Sequence, residues 1–92
     1  MTDTTVGFEL YVTSFCGACA RTRAIVELAV SVLPGSTLRE HDLAFEPDLA
    51  EQNNTLSTPT VIVRDAAGAE LFRAAGIPTI DQVLAAATLA MP

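Results

Sequence analysis

The chain has 92 residues, half of them apolar, and a formal charge of −6 from eleven acidic residues set against five arginines and no lysine. That length supports one domain, 1–92, with a small core and no room for a second, and the charge repels phosphate backbones, so nucleic acid is not an expected partner. No apolar run approaches the ~20 residues of a membrane span, and Met1-Thr2-Asp3-Thr4-Thr5 lacks the basic and apolar regions of a secretory leader, so the chain reads as cytoplasmic with no membrane partner.

Val6 to Thr13 alternates and predicts a strand with Val6, Phe8, Leu10 and Val12 on one face and Glu9, Tyr11 and Thr13 on a polar one. After Ser14-Phe15 the period becomes helical. Thr22, Ile25, Val26, Ala29 and Leu33 form the inward stripe, Arg21, Arg23 and Glu27 face outward, and Pro34-Gly35 ends the helix. Thr37 to Leu43 reads as a second strand, although Leu38 and Leu43 have opposite parity, which predicts a bend or a short pairing. Glu46-Pro47-Asp48 opens a short helix that runs through Leu49-Ala50-Glu51-Gln52 and stops near Asn53-Asn54.

Thr60-Val61-Ile62-Val63 is β-branched without alternation, the pattern of a central strand buried on both faces. Asp65-Ala66-Ala67-Gly68 predicts a hairpin turn, with Gly68 supplying a positive φ, and Glu70-Leu71-Phe72-Arg73 returns antiparallel. A last helix follows Gly76-Ile77-Pro78, with a capping box between Thr79 and Gln82 and an apolar face of Ile80, Val83, Leu84 and Ala87. The expected order is β-α-β-α-β-β-α, an α/β fold with a central four-stranded mixed sheet flanked by helices.

The two cysteines form Cys16-Gly17-Ala18-Cys19, at the junction between the first strand and the first helix. Placed i,i+3 on the first helical turn, the two sulfurs share one face and can bridge without moving the rest of the fold. Such a pair switches between dithiol and disulfide. Two cysteines in one tight motif do not make the framework of a small secreted domain, and no second pair completes a Cys₄ zinc site within the chain. At a helix N-terminus the free N–H groups and the positive end of the macrodipole favour the Cys16 thiolate. A fall in its pKa from about 8.5 to about 7 raises the thiolate fraction roughly fifteen-fold and lowers intrinsic nucleophilicity roughly five-fold, a net gain of only ~3-fold. The larger gain is a better leaving group when Cys19 attacks. Cys19, a turn further in, is expected to be the more buried thiol, which makes Cys16 the nucleophile and Cys19 the resolving group.

The C-x-x-C motif, the Ser57-Thr58-Pro59-Thr60 segment opening the third strand and Gly76 ahead of the last helix together resemble the thioredoxin superfamily in its compact, glutaredoxin-sized form, over essentially the whole chain. The resemblance implies a cis Pro59 packed beside the dithiol and a Thr58 backbone that pairs with a substrate peptide. It also implies a redox enzyme acting on disulfide-containing protein substrates, recharged by a flavoprotein reductase or a low-molecular-weight thiol, with no cofactor or metal and working as a monomer. Phe15, Thr58, Pro59, Ala75 and Gly76 are the expected docking residues, Phe15 also shielding the nucleophile. This chain departs from thioredoxins in having Phe15 in place of Trp, Gly17-Ala18 in place of Gly-Pro, and Leu10 in place of a buried aspartate, with Glu9 on the opposite face. It departs from glutaredoxins in lacking a lysine ahead of the motif and in having Ala74-Ala75-Gly76-Ile77 in place of their Gly-Gly turn and aspartate, so glutathione is not an expected reductant.

Two alternatives stand beside this reading. One is a binding module holding a metal or iron–sulfur cluster between the C-x-x-C motifs of two chains, and the other is a dedicated electron carrier within a larger enzyme. His41, between Glu40 and Asp42, reads as a surface histidine, and Arg21 and Arg23 read as a solvated helix face one turn beyond the motif.

Overall fold

Alternation in the first strand places Phe8, Leu10 and Val12 on one face of β1 (Gly7–Val12), all buried. The computed structural model describes residues 6–90, so the reading of Met1 to Thr5 lies outside the described residues. The chain continues through α1 (Gly17–Val32), β2 (Thr37–Asp42), α2 (Pro47–Gln52), β3 (Thr60–Arg64), β4 (Glu70–Ala75) and α3 (Ile80–Thr88). The sheet order is β2-β1-β3-β4, with β2 parallel to β1 and the other pairings antiparallel. This is the expected four-stranded mixed sheet.

Helices cover both faces. Cys19, Val26 and Ala29 of α1 and Val83, Ala86 and Ala87 of α3 pack with Phe8, Leu10, Val12, Val61 and Val63 in the main core. The inner strand β3 is buried from Thr60 to Val63, as its unbroken β-branched run predicts. Ile62 points to the opposite face, where it packs with Tyr11 and with Ala50 of α2.

That second core corrects two expectations. Tyr11 does not lie on a polar face: it is fully buried under α2, and burial pushes its phenol pKa up. Glu9, on the same face, accepts a hydrogen bond from Arg64 Nε at 3.2 Å, and Arg64 Nη2 also donates to Asn53 Oδ1 at 2.8 Å. His41 is not a surface histidine, since its ring lies 5.1 Å from that of Tyr11 and its Nδ1 is 2.9 Å from Glu46 Oε2. The cause is common to Tyr11 and His41. The six residues of α2 and the loop before it close over this face of the sheet.

The parity conflict in β2 resolves without a bend. Thr37 to Asp42 pair in continuous register with Gly7 to Val12, and Leu43 falls beyond the strand, where it packs with Tyr11. The hairpin turn carries Gly68 at φ 87°, and the capping box of α3 is present in both directions, with Gln82 N–H donating to Thr79 Oγ1 and Thr79 N–H donating to Gln82 Oε1.

Candidate active site

Antiparallel pairing of β1 with β3 sets Tyr11 opposite Thr60, and pairing of β3 with β4 sets Thr60 opposite Ala75. The C-terminal ends of β1 and β4 and the start of β3 therefore share one edge of the sheet. From that edge emerge the Cys16–Cys19 segment, Thr58-Pro59 and Gly76, residues far apart in sequence.

Cys16 is the N-cap of α1 rather than a member of its first turn, with an extended backbone (φ −109°, ψ 102°) and the helix beginning at Gly17. The two cysteines are joined in a disulfide with Cα atoms 5.1 Å apart. Cys16 Sγ accepts a hydrogen bond from the Cys19 N–H at 3.0 Å, the position in which a serine or aspartate oxygen would cap a helix. Cys16 is partly exposed and Cys19 is 1% exposed. With no acidic residue in its first turn, α1 presents its positive end to Cys16 without a competing anion.

The Thr58–Pro59 peptide bond is cis. Pro59 is buried and its carbonyl accepts a hydrogen bond from Gly76 N–H at 2.8 Å, while Gly76 itself sits at φ 101°, a left-handed conformation that glycine adopts without a Cβ clash. Thr58 is joined to the end of the first strand through its side chain, its Oγ1 lying 3.1 Å from Thr13 Oγ1. Among the described residues neither the N–H nor the C=O of Thr58 has a backbone partner. The edge thus carries an unpaired backbone donor and acceptor at Thr58 beside the disulfide-bearing loop.

Phe15 departs from the expected shield. It lies in the left-handed region at φ 58° and is fully exposed, so the ring stands in solvent instead of folding over the sulfur. Ala75 is exposed and Gly76 partly so. Ile77, Leu56 and Phe45 are further exposed apolar side chains in loops at this same edge. A loop has no periodicity that would mark them in the sequence. The usable signal is an apolar residue a few positions from a strand end that reaches the motif's edge.

The two arginines past the motif are used differently. Arg23 reaches across to β2, donating from Nε to Glu40 Oε1 at 2.7 Å and from Nη2 to Glu40 Oε2 at 2.8 Å. This bidentate contact holds the Glu40 carboxyl below its ordinary value and commits the Arg23 charge to structure. Arg21 is exposed.

No family model and no curated protein matches this sequence. Solved structures do. A thioredoxin from Halobacterium salinarum is similar at TM-score 0.83 and 17% identity, over 95% of this chain and 75% of that one. Thioredoxin 1 from Thermosipho africanus is similar at TM-score 0.78 and 19% identity, over 90% of this chain and 91% of its own. Thioredoxin-2, a component of malaria parasite protein secretion machinery, gives TM-score 0.79 and 20% identity over 92% of this chain and 82% of that one. With its mixed sheet, its helices on both faces and a Cys-Gly-Ala-Cys disulfide at the first strand-to-helix junction, the chain has the thioredoxin fold.

Proposed function

We propose that this protein is a thiol–disulfide oxidoreductase that reduces disulfides in protein substrates. The observation that carries the proposal is the asymmetry of the pair, a partly exposed Cys16 sulfur capping a helix beside a Cys19 that solvent does not reach. In the dithiol form the Cys16 thiolate attacks one substrate sulfur, forming a mixed disulfide and releasing the other substrate sulfur as a thiolate. The Cys19 thiolate then attacks Cys16 Sγ, closing the internal disulfide and releasing the second substrate thiolate. Both released thiolates take up protons given up by the two cysteines, so one dithiol and one disulfide have been exchanged.

Capping favours both steps. The Cys19 amide and the helix dipole stabilise negative charge on Cys16 when it attacks and again when it leaves. Phe15, Ala75 and Gly76 offer contact area, and the unpaired backbone N–H and C=O of Thr58, next to the cis Pro59, support pairing with an extended substrate segment as an added strand. A flavoprotein reductase or a small thiol other than glutathione returns the pair to the dithiol, with the protein acting as a monomer in the cytoplasm. The test is catalysed reduction of a model protein disulfide such as insulin by dithiothreitol. Wild-type protein is expected to accelerate it and Cys16→Ser to fall to the uncatalysed rate, whereas full turnover by Cys16→Ser would refute the proposal.

A further inference from the structure

Cys19 is buried in an apolar cluster that includes Phe8, Leu10, Val12, Val26, Val61 and Val83. One polar side chain enters the same helix face. Thr22, three residues on, is 0% exposed, and its hydroxyl has no hydrogen-bond partner. A buried threonine within a helix usually donates to the carbonyl three or four residues back, and here it makes neither bond. Buried hydroxyls are almost always paired, so the orphan calls for a physical account.

Side chains on a helix lean toward its N-terminus, and positions i and i+3 stack on one face. Thr22 therefore overlies the turn that carries Cys19. In the disulfide form the Cys19 sulfur is bonded to Cys16. Reduction breaks that bond as the pair takes up two electrons; with two protons Cys19 becomes a thiol that both donates and accepts weakly, and with only the Cys16 proton it is a thiolate that accepts strongly. Freed from Cys16, the sulfur gains rotation about its own Cα–Cβ bond toward the next turn.

We infer that Thr22 is the hydrogen-bond partner of the Cys19 sulfur in the dithiol form, and that its hydroxyl, unpaired in the disulfide form, biases the pair toward reduction and stabilises the buried thiolate that resolves the mixed disulfide. Thr22 is a positioning residue in this scheme. Its effect on resolution rests on the proposed oxidoreductase function, but its effect on the cysteine pair does not.

The experiment compares wild type, Thr22→Val, Thr22→Ala and Thr22→Ser. Each is equilibrated with mixtures of reduced dithiothreitol, which closes to its cyclic disulfide as it gives up two electrons and two protons, and its oxidised form. Both hydroxyl-free variants are expected to shift the equilibrium toward the protein disulfide by several-fold, a tenfold shift corresponding to about 30 mV. Thr22→Ser is expected to return toward wild type. In a Cys16→Ser background, the ultraviolet absorbance of the Cys19 thiolate should appear at higher pH when Thr22→Val is added than when the threonine is retained. Neither readout uses a protein substrate, so failure to reduce insulin would count against the proposed function and not against this inference. Equal equilibria within twofold for wild type, T22V and T22A, an unmoved thiolate titration, or T22S behaving as T22V would overturn it.

Discussion

The 3.0 Å contact from the Cys19 amide to Cys16 Sγ places a backbone dipole where the proposed exchange would develop negative charge. Phe15, one residue earlier, adds a second local feature, because a non-glycine residue at φ 58° carries roughly 1–2 kcal/mol of left-handed strain and the exposed ring returns no burial to offset it. Under the proposed function, a fully exposed aromatic beside the Cys16 sulfur supplies contact area for a protein substrate. Phe15→Asn separates the two effects, since asparagine tolerates the left-handed region. The variant is expected to be as stable as wild type or up to about 1 kcal/mol more stable in urea unfolding. Its KM for a protein disulfide should rise several-fold, with its rate toward a small aromatic disulfide unchanged. A stability loss with an unaltered KM would make Phe15 a structural residue.

At the scale of elements, α1 is tied to the edge strand β2 by the bidentate Arg23–Glu40 pair. The Glu40 carboxyl is held low, first by its hydrogen bond from Arg23, as Glu70 is by Arg73. A carboxyl whose folded-state value is depressed contributes stability that is complete above its ordinary value of 4.5 and is lost as the pH falls through the lower folded value. Both pairs are about one third exposed, so screening limits each to roughly 0.2–1 kcal/mol. Glu40→Gln should therefore lower stability by about that much at pH 7, and its deficit should shrink as the pH falls below 4.5, measured by urea unfolding across the acid range. A deficit independent of pH would show that the pair contributes no charge interaction.

Elements were legible wherever one local signal sufficed. The Thr79–Gln82 box, the Gly68 turn and the β-branched run of β3 each need only a few neighbouring residues, and each is found as read. The face of β1 carrying Glu9 and Tyr11 was not legible, because its burial depends on α2 folding over it from a distant part of the chain. The same helix explains His41, whose partners Tyr11 and Glu46 come from two other segments. Within the site, the C-x-x-C pair and Pro59 announce themselves by residue type. Thr13, whose hydroxyl meets that of Thr58, does not, because its residue type and position mark only the end of a strand. Tyr11→Phe tests the second core directly: it removes the hydroxyl that accepts from Asn53 Nδ2 at 2.9 Å, and about 0.5–1.5 kcal/mol of stability should go with it. No change in the unfolding midpoint would mean that this bond holds nothing together.

Across the whole molecule the charge of −6 disfavours anionic partners at long range, and no lysine is present to hold a carboxylate locally. Arg23 is already committed to Glu40, which leaves the single exposed charge of Arg21 on the helix beyond the motif to face a tripeptide with two carboxylates. Reduction of the oxidised protein by glutathione with its reductase is expected to be slow beside an authentic glutaredoxin, and matching turnover would contradict this. The central claim is the division of labour between an accessible attacking sulfur and a buried resolving one. Its most direct measurement is mass spectrometry of adducts formed when Cys16→Ser and Cys19→Ser are each mixed with a disulfide-bonded protein. Cys19→Ser is predicted to accumulate a mixed disulfide through Cys16, and Cys16→Ser to accumulate none, whereas a mixed disulfide through Cys19 in Cys16→Ser, with none in Cys19→Ser, would contradict the account.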